Sequence, residues 1–239
     1  MNLRLLITLL DPKRIPIYFR SILYAFPRGI IFLKKEFRGM ISLPEGVALY
    51  KLANSVPAKG IIVEIGCYGG LSTAFLLAGA GKGTIIHSID PFRRNIKKQK
   101  KLVEEYADTN YKKVELPIVS IKPTKNFVEE SLRRKGFTNF VLLEGYSHEF
   151  VKKWDKQIDL LWIDGNHDYK AVKNDFFKWS VFLKKGGIIA FHDANKENLS
   201  QFWNWGCEGP TRIVNEYIKE PKWIDIKRID ALVYATKNF

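Results

Sequence analysis

Apolar residues in this chain fall into short unbroken runs, separated by stretches in which they recur every three or four positions. The runs are Ile61-Ile-Val-Glu64-Ile65, Gly83-Thr-Ile-Ile-His87-Ser-Ile-Asp90, Asn139-Phe-Val-Leu-Leu143, Ile158-Asp-Leu-Leu-Trp-Ile163 and Gly187-Ile-Ile-Ala-Phe191. Runs of this length predict strands covered on both faces, as in a parallel sheet. Helical spacing joins Leu71, Ala74, Phe75 and Ala78, and again Val172, Phe176 and Trp179, the latter helix being stopped by Gly186-Gly187. Thr124 predicts a cap for a helix that turns Phe127, Val128 and Leu132 inward and pairs Glu129 with Arg133 and Glu130 with Arg134 outside. Strands alternating with helices predict an α/β, doubly wound, Rossmann-like sheet with helices on both faces.

The flanks add less regular elements. Ile41-Ser-Leu-Pro44-Glu45 reads as a helix start carrying Val47, Leu49, Tyr50 and Leu52. A helix from about Thr211 to Lys219 and a closing hairpin of Trp223–Lys227 and Ala231–Ala235 are expected at the far end. Between them Trp203 and Trp205 sit in an aromatic loop, as a stacking surface for a sugar or as a lid packed on the core. There is no internal repeat and no Gly/Ser linker, so residues 41–239 are taken as one domain. Residues 1–40 form a basic amphipathic segment: Leu5–Leu10 stops at Asp11-Pro12, and Arg20, Pro27 and Arg28 interrupt the rest. The segment therefore reads as a cap on the domain, a homodimer contact, or a helix lying on a membrane surface, not as a span.

Charge changes the picture of partners. The formal net charge is +14, which attracts anionic nucleic acid, lipid headgroups or acidic glycans alike. Its densest run, Lys97-Lys98-Gln99-Lys100-Lys101, reads as a solvated helix face, and no nucleic-acid module accompanies it. Cys67 and Cys207 make no disulfide framework and have no zinc-ligand spacing around them. A cytoplasmic setting, with membrane association open, is the expectation.

The chemistry collects at strand ends. Four runs finish in acids, Glu64, Asp90, Asp164 and Asp193, in a chain where bases outnumber acids. Neighbouring parallel strands bring Asp164 and Asp193 to one sheet edge, with His167 three residues beyond Asp164. After the first strand, Gly66-Cys67-Tyr68-Gly69-Gly70 allows a tight turn and close ligand approach. It departs from the dinucleotide fingerprint, and so favours a nucleoside ligand without phosphates. Asp90 stands where a carboxylate takes ribose hydroxyls. The Glu144–His148 loop faces the base of such a ligand. Asp175 reads as a helix anchor and His192 as support for a neighbour.

The combination Val63-Glu64-Ile-Gly66-x-x-Gly69-Gly70-x-Ser72-Thr73, Ile89-Asp90, Ile163-Asp164-Gly-x-His167-x-Tyr169 and Gly186-Gly187-x-x-x-x-His192-Asp193 resembles class I S-adenosylmethionine-dependent methyltransferases. Within them it is most similar to the macrocin O-methyltransferase and cephalosporin-hydroxylase-like group. The resemblance implies a seven-stranded sheet of order 3-2-1-4-5-7-6 with the last strand antiparallel. It implies that Glu64, Gly66, Cys67, Tyr68, Gly69 and Ser72 hold the cofactor's methionine end, Asp90 its ribose, and Tyr146 and Ser147 its adenine, with Asp164 alongside. His167 would be the general base, aided by Asp164, for O-methylation of a sugar hydroxyl in a glycan or glycosylated metabolite. Mg²⁺ would sit on Asp164 and Asp193, although Ala194 stands where metal-dependent relatives carry another acid or amide. RNA methylation and a non-catalytic, membrane-peripheral scaffold are the competing readings.

Overall fold

The computed structural model describes residues 15–92, 123–195 and 206–239. The Leu5–Leu10 run, the Lys97–Lys101 run and the Trp203–Trp205 loop lie outside the described residues.

Seven strands form one sheet in the order β3-β2-β1-β4-β5-β7-β6: β1 Ile61–Ile65, β2 Ile85–Asp90, β3 Phe140–Glu144, β4 Ile158–Ile163, β5 Leu183–Phe191, β6 Trp223–Ile229 and β7 Leu232–Lys237. β1 through β5 pair in parallel, and β7 runs antiparallel to both β5 and β6. That is the expected topology, and the continuous apolar runs account for it: every residue of β4 is buried, as a strand covered on both faces requires.

Helices complete the two layers. The first four are α1 Ile15–Ala25, α2 Leu33–Glu36, α3 Leu43–Ser55 and α4 Leu71–Gly79; the other four are α5 Lys125–Arg134, α6 Ser147–Phe150, α7 Tyr169–Trp179 and α8 Glu208–Tyr217. One apolar core, holding Leu49, Phe75 and Trp162, lies under α3 and α4. The other, holding Phe176, Trp179 and Ile213, lies under α7 and α8. α3 begins with a reciprocal cap: the Ser42 N–H donates to Glu45 Oε2 at 2.6 Å, and the Glu45 N–H donates to Ser42 Oγ at 3.3 Å.

Four local expectations are corrected. α7 ends at Trp179, and a 3₁₀ turn over Ser180–Phe182 carries the chain into β5. Gly186 and Gly187 therefore sit inside that strand, where the β4–β5 register shifts and Gly186 takes a φ of 77°. Phe127 faces outward at 44% exposure while Val128 and Leu132 fill the core. Arg134 turns to Ser131 Oγ, while Arg133 makes the expected pair with Glu129 at 2.8 Å. α8 starts at Glu208, with Gly209 and Pro210 in its first turn, where proline's missing N–H is no loss.

Residues 15–40 pack against the domain. Tyr18, Ala25, Ile30, Leu33 and Phe37 are buried in the same core as α3 and α4. Arg38 then bridges to Gly70, and its carbonyl accepts the Leu71 N–H at 3.3 Å.

Candidate active site

The carboxyl ends of β1, β2 and β4 open into a cleft of about 800 Å³. A crevice at this position, where the strand order reverses between β1 and β4, is where open α/β sheets bind ligands. Gly66, Cys67 and Tyr68 form one wall, Tyr146 and Ser147 the opposite one, and Asp164 and His167 the end nearest β5. Gly39 and Met40 close part of the rim, which puts the segment before residue 41 into the site.

The glycine loop is pinned from below. Asp90 Oδ2 accepts the N–H groups of Cys67 and Tyr68 at 3.2 and 3.0 Å, and Oδ1 accepts Phe92 N–H at 2.6 Å. Sequence reasoning placed Asp90 against a ligand; the fold also makes it the anchor of the loop. Those two N–H donors are thus taken within the protein and are not offered to a phosphate. This agrees with a nucleoside ligand lacking phosphates at that point. Gly66 has a φ of 89°, and a Cβ there would stand 2.0 Å from the Asp164 carbonyl oxygen. Only glycine lets the β1 loop and the β4 loop touch.

Glu64 does not reach the cleft. It is fully buried, and its carboxylate accepts from Ser72 Oγ at 2.5 Å, Thr73 Oγ1 at 2.6 Å and Ser88 Oγ at 2.5 Å. Burial pushes its pKa up to about 7, with the three hydroxyls holding it from rising further. The expectation of direct contact with a ligand is corrected: Glu64 fixes the start of α4 and acts on the cleft through Ser72, which lines it. Gly69 likewise faces away, against the Arg38 backbone. On the far wall Ser147 Oγ donates to Asp175, which is buried on α7 and thereby anchors that wall.

At the β4–β5 edge the structure assembles the expected trio and adds residues to it. His167 Nε2 lies 3.4 Å from Asp164 Oδ1, and Nδ1 lies 3.5 Å from Asp193 Oδ2. The imidazole therefore stands between the two carboxylates. The hydrogen bond to Asp164 raises the His167 pKa above its ordinary value, against the opposing effect of burial. Behind it, His192 Nδ1 is 2.9 Å from Asp164 Oδ1, close enough for ion pairing yet without hydrogen-bond geometry. His192 Nε2 is 3.6 Å from Glu45. Burial lowers the His192 pKa, but Asp164 and Glu45 together outweigh it and hold His192 well above 6.5. Burial also pushes Asp164 up, and the charge of His192 more than reverses this, so Asp164 is held down as the anion. Asp193, more weakly paired, is raised by burial.

Sequence reasoning missed Glu45 and Cys207. Glu45 was legible only as a helix-start acid; its Oε1 also takes the Ala231 N–H at 3.0 Å, tying the domain's two ends beneath the site. Cys207 Sγ lies 3.2 Å from His167 Nδ1 and 3.8 Å from Asp193 Oδ2. Its partners are 40 and 14 residues away in sequence, which is why no ligand spacing announced it.

Comparison with known proteins gives the following. A family model described as "Methyltransferase domain" matches residues 63–194, more than half of this chain. Podospora anserina methyltransferase PaMTH1, solved with SAH bound, is similar with a TM-score of 0.62 at 16% identity, over 96% of this chain and 97% of that one. The O-methyltransferase TomG from Streptomyces achromogenes, involved in tomaymycin synthesis and solved with SAM, gives 0.56 at 15% identity, over 84% of this chain and 82% of that one. Protein R132 of Acanthamoeba polyphaga mimivirus is 50% identical over 36 residues, 15% of this chain. The matches cover 6% and 16% of the lengths of two curated relatives.

Proposed function

The chain belongs to the methyltransferase-domain family, and we propose that it is an S-adenosylmethionine-dependent O-methyltransferase acting on a sugar hydroxyl of a glycan or glycosylated metabolite. We infer a finer kinship with the macrocin O-methyltransferase and cephalosporin-hydroxylase-like group from the combined motifs quoted above. One observation carries the reading: an imidazole held between two carboxylates at the end of a cleft whose glycine loop has its Cys67 and Tyr68 N–H groups already taken by Asp90. When bound, the cofactor supplies an electrophilic methyl group on a sulfonium. Gly66, Cys67, Tyr68 and Ser72 would hold its methionine end, Asp90 the ribose, and Tyr146 and Ser147 the adenine.

The chain's own part is positioning and proton transfer. His167 Nδ1 faces Asp193, so that carboxylate fixes the ring's orientation. In the neutral ring, Nε2 takes the acceptor's hydroxyl proton as the oxygen attacks, and Asp164 beside it holds the imidazolium so formed. Holding that oxygen in line is the larger contribution. Mg²⁺ does not fit the residues present. It takes oxygen ligands in octahedral array, whereas the donors that converge with Asp164 and Asp193 are the ring nitrogens of His167 and His192 and the sulfur of Cys207.

Because the His167 pKa is raised, the imidazole is charged and unable to accept a proton at low pH. Turnover should therefore rise with pH through a pKa above 6.5. His167→Ala should lower turnover about 10²–10⁴-fold and leave calorimetric binding of S-adenosylmethionine and S-adenosylhomocysteine unchanged. Unchanged turnover in that variant would remove His167 from the mechanism, and absence of cofactor binding by the folded chain would remove the whole reading.

A further inference from the structure

The poor fit to Mg²⁺ has a positive counterpart. Cys207 takes no part in the mechanism above, yet it is placed with care. Its N–H donates to the Asp193 carbonyl at 2.7 Å, and Thr211 Oγ1 donates to the same oxygen at 3.4 Å. Gly209, two residues on, is pressed against the His167 backbone so closely that a Cβ would stand 2.1 Å from its carbonyl oxygen. Asp193 itself has a φ of 50°, in the left-handed region that is uncommon for residues other than glycine. The end of β5, the β4–α7 loop and the start of α8 are thus locked together, and the side chains they carry converge.

The convergence has the dimensions of a coordination shell. Cys207 Sγ to His167 Nδ1 is 3.2 Å, His167 Nδ1 to Asp193 Oδ2 is 3.5 Å, and Cys207 Sγ to Asp193 Oδ2 is 3.8 Å. A tetrahedral ion with ligand bonds of about 2.0–2.3 Å has edges of roughly 3.3–3.8 Å between donors. The donors are one sulfur, one nitrogen and one oxygen, a borderline-soft set that suits Zn²⁺ and disfavours Mg²⁺ or Ca²⁺. The far nitrogen of the same imidazole faces the Asp164 carboxylate at 3.4 Å, as metal-bound histidines characteristically do. The buried His192 Nδ1, ion-paired with Asp164 Oδ1 at 2.9 Å, also lies 3.6 Å from Asp193 Oδ2 beside the triangle. Asp164, His167 and His192 form a second convergent group that shares His167.

We propose that His167, Asp193 and Cys207 form a three-ligand site for Zn²⁺ or a similar borderline-soft divalent cation, with a fourth position open to water. Binding exchanges the Cys207 thiol proton, released to solvent, for the metal–thiolate bond. With Nδ1 coordinated, Nε2 carries the remaining N–H and can only donate. A filled site thus withdraws His167 from base duty, a consequence that rests on the function proposed above. The binding itself does not.

The test uses Co²⁺ alone with the purified, reduced full chain. One equivalent should bind with an intense near-ultraviolet thiolate-to-cobalt charge-transfer band, be displaced by Zn²⁺, and be indifferent to excess Mg²⁺. The band should vanish in Cys207→Ser and persist in Cys67→Ser, and Asp193→Asn should weaken binding by at least the roughly 10–100-fold that follows loss of an outer partner. No stoichiometric Co²⁺ or Zn²⁺ binding by the folded wild-type chain overturns the proposal, and so does a band that survives in folded Cys207→Ser. Both readouts are independent of methyl transfer, so failure of the enzymatic reading leaves them standing.

Discussion

A fully buried carboxyl group that receives three hydroxyl donors is a costly object, and Glu64 is one. Its pKa of about 7 lies above the ordinary 4.5 because burial penalises the anion. Below pH 4.5 folded and unfolded chains both hold the proton; between 4.5 and 7 only the folded chain does. Stability is therefore lost as pH rises across that window, by about 3 kcal/mol in all. Glu64→Gln keeps the shape and has no proton to lose, so its denaturation free energy should gain on the wild type by a few kcal/mol between pH 5 and pH 8; parallel curves would refute this. Glu64→Ala should cost more at every pH, since Ser72, Thr73 and Ser88 would each lose an acceptor, at roughly 1 kcal/mol or more apiece. The sequence marked Glu64 as a strand-end acid, which it is. What it hid was the direction of the side chain, set by hydroxyls on two other elements.

Elements were legible where their pattern was local. β1 and β4 fall where unbroken apolar runs put them, and Val172, Phe176 and Trp179 face the core as their spacing requires. β5 begins earlier than expected because a glycine pair that usually ends structure here sits within a strand with a register shift. The Asp164–His167–Asp193 edge was legible too, since parallel strand order alone makes those loops neighbours. Cys207 and Glu45 were not, because their places depend on how α8 and α3 dock, which no periodicity encodes. That docking can be probed at Gly209. Gly209→Ala must push α8 off the His167 backbone, and should lower the thermal midpoint by the equivalent of about 1–3 kcal/mol. Gly81→Ala, whose Cβ would meet nothing nearer than 3.9 Å, is the control expected to shift it little; equal shifts would show that the contact carries no strain.

For the whole molecule, charge and exposed apolar surface point the same way. Phe19, Leu23 and Phe26 share one face of α1 and the turn after it at 60%, 59% and 63% exposure, with Arg20, Arg28 and Lys35 exposed nearby. Among the described residues no helix is long and apolar enough to cross a membrane. Basic residues around an apolar face suit an anionic bilayer surface, and the net charge of +14 draws the chain to it. Full-length protein should therefore co-sediment with phosphatidylserine vesicles more than with neutral ones, and the triple change Phe19→Ser, Leu23→Ser and Phe26→Ser should abolish the difference. Equal partitioning of the two proteins would exclude α1 as the contact. A tempting shortcut would be to compare the intact chain with one cut after residue 40. The Arg38 bridge to Gly70 and the Met40 rim forbid it. Such a cut would strip the Leu71 N–H of its acceptor and open a side of the ligand's own chamber. The described part of that segment, residues 15–40, is masonry of the domain itself.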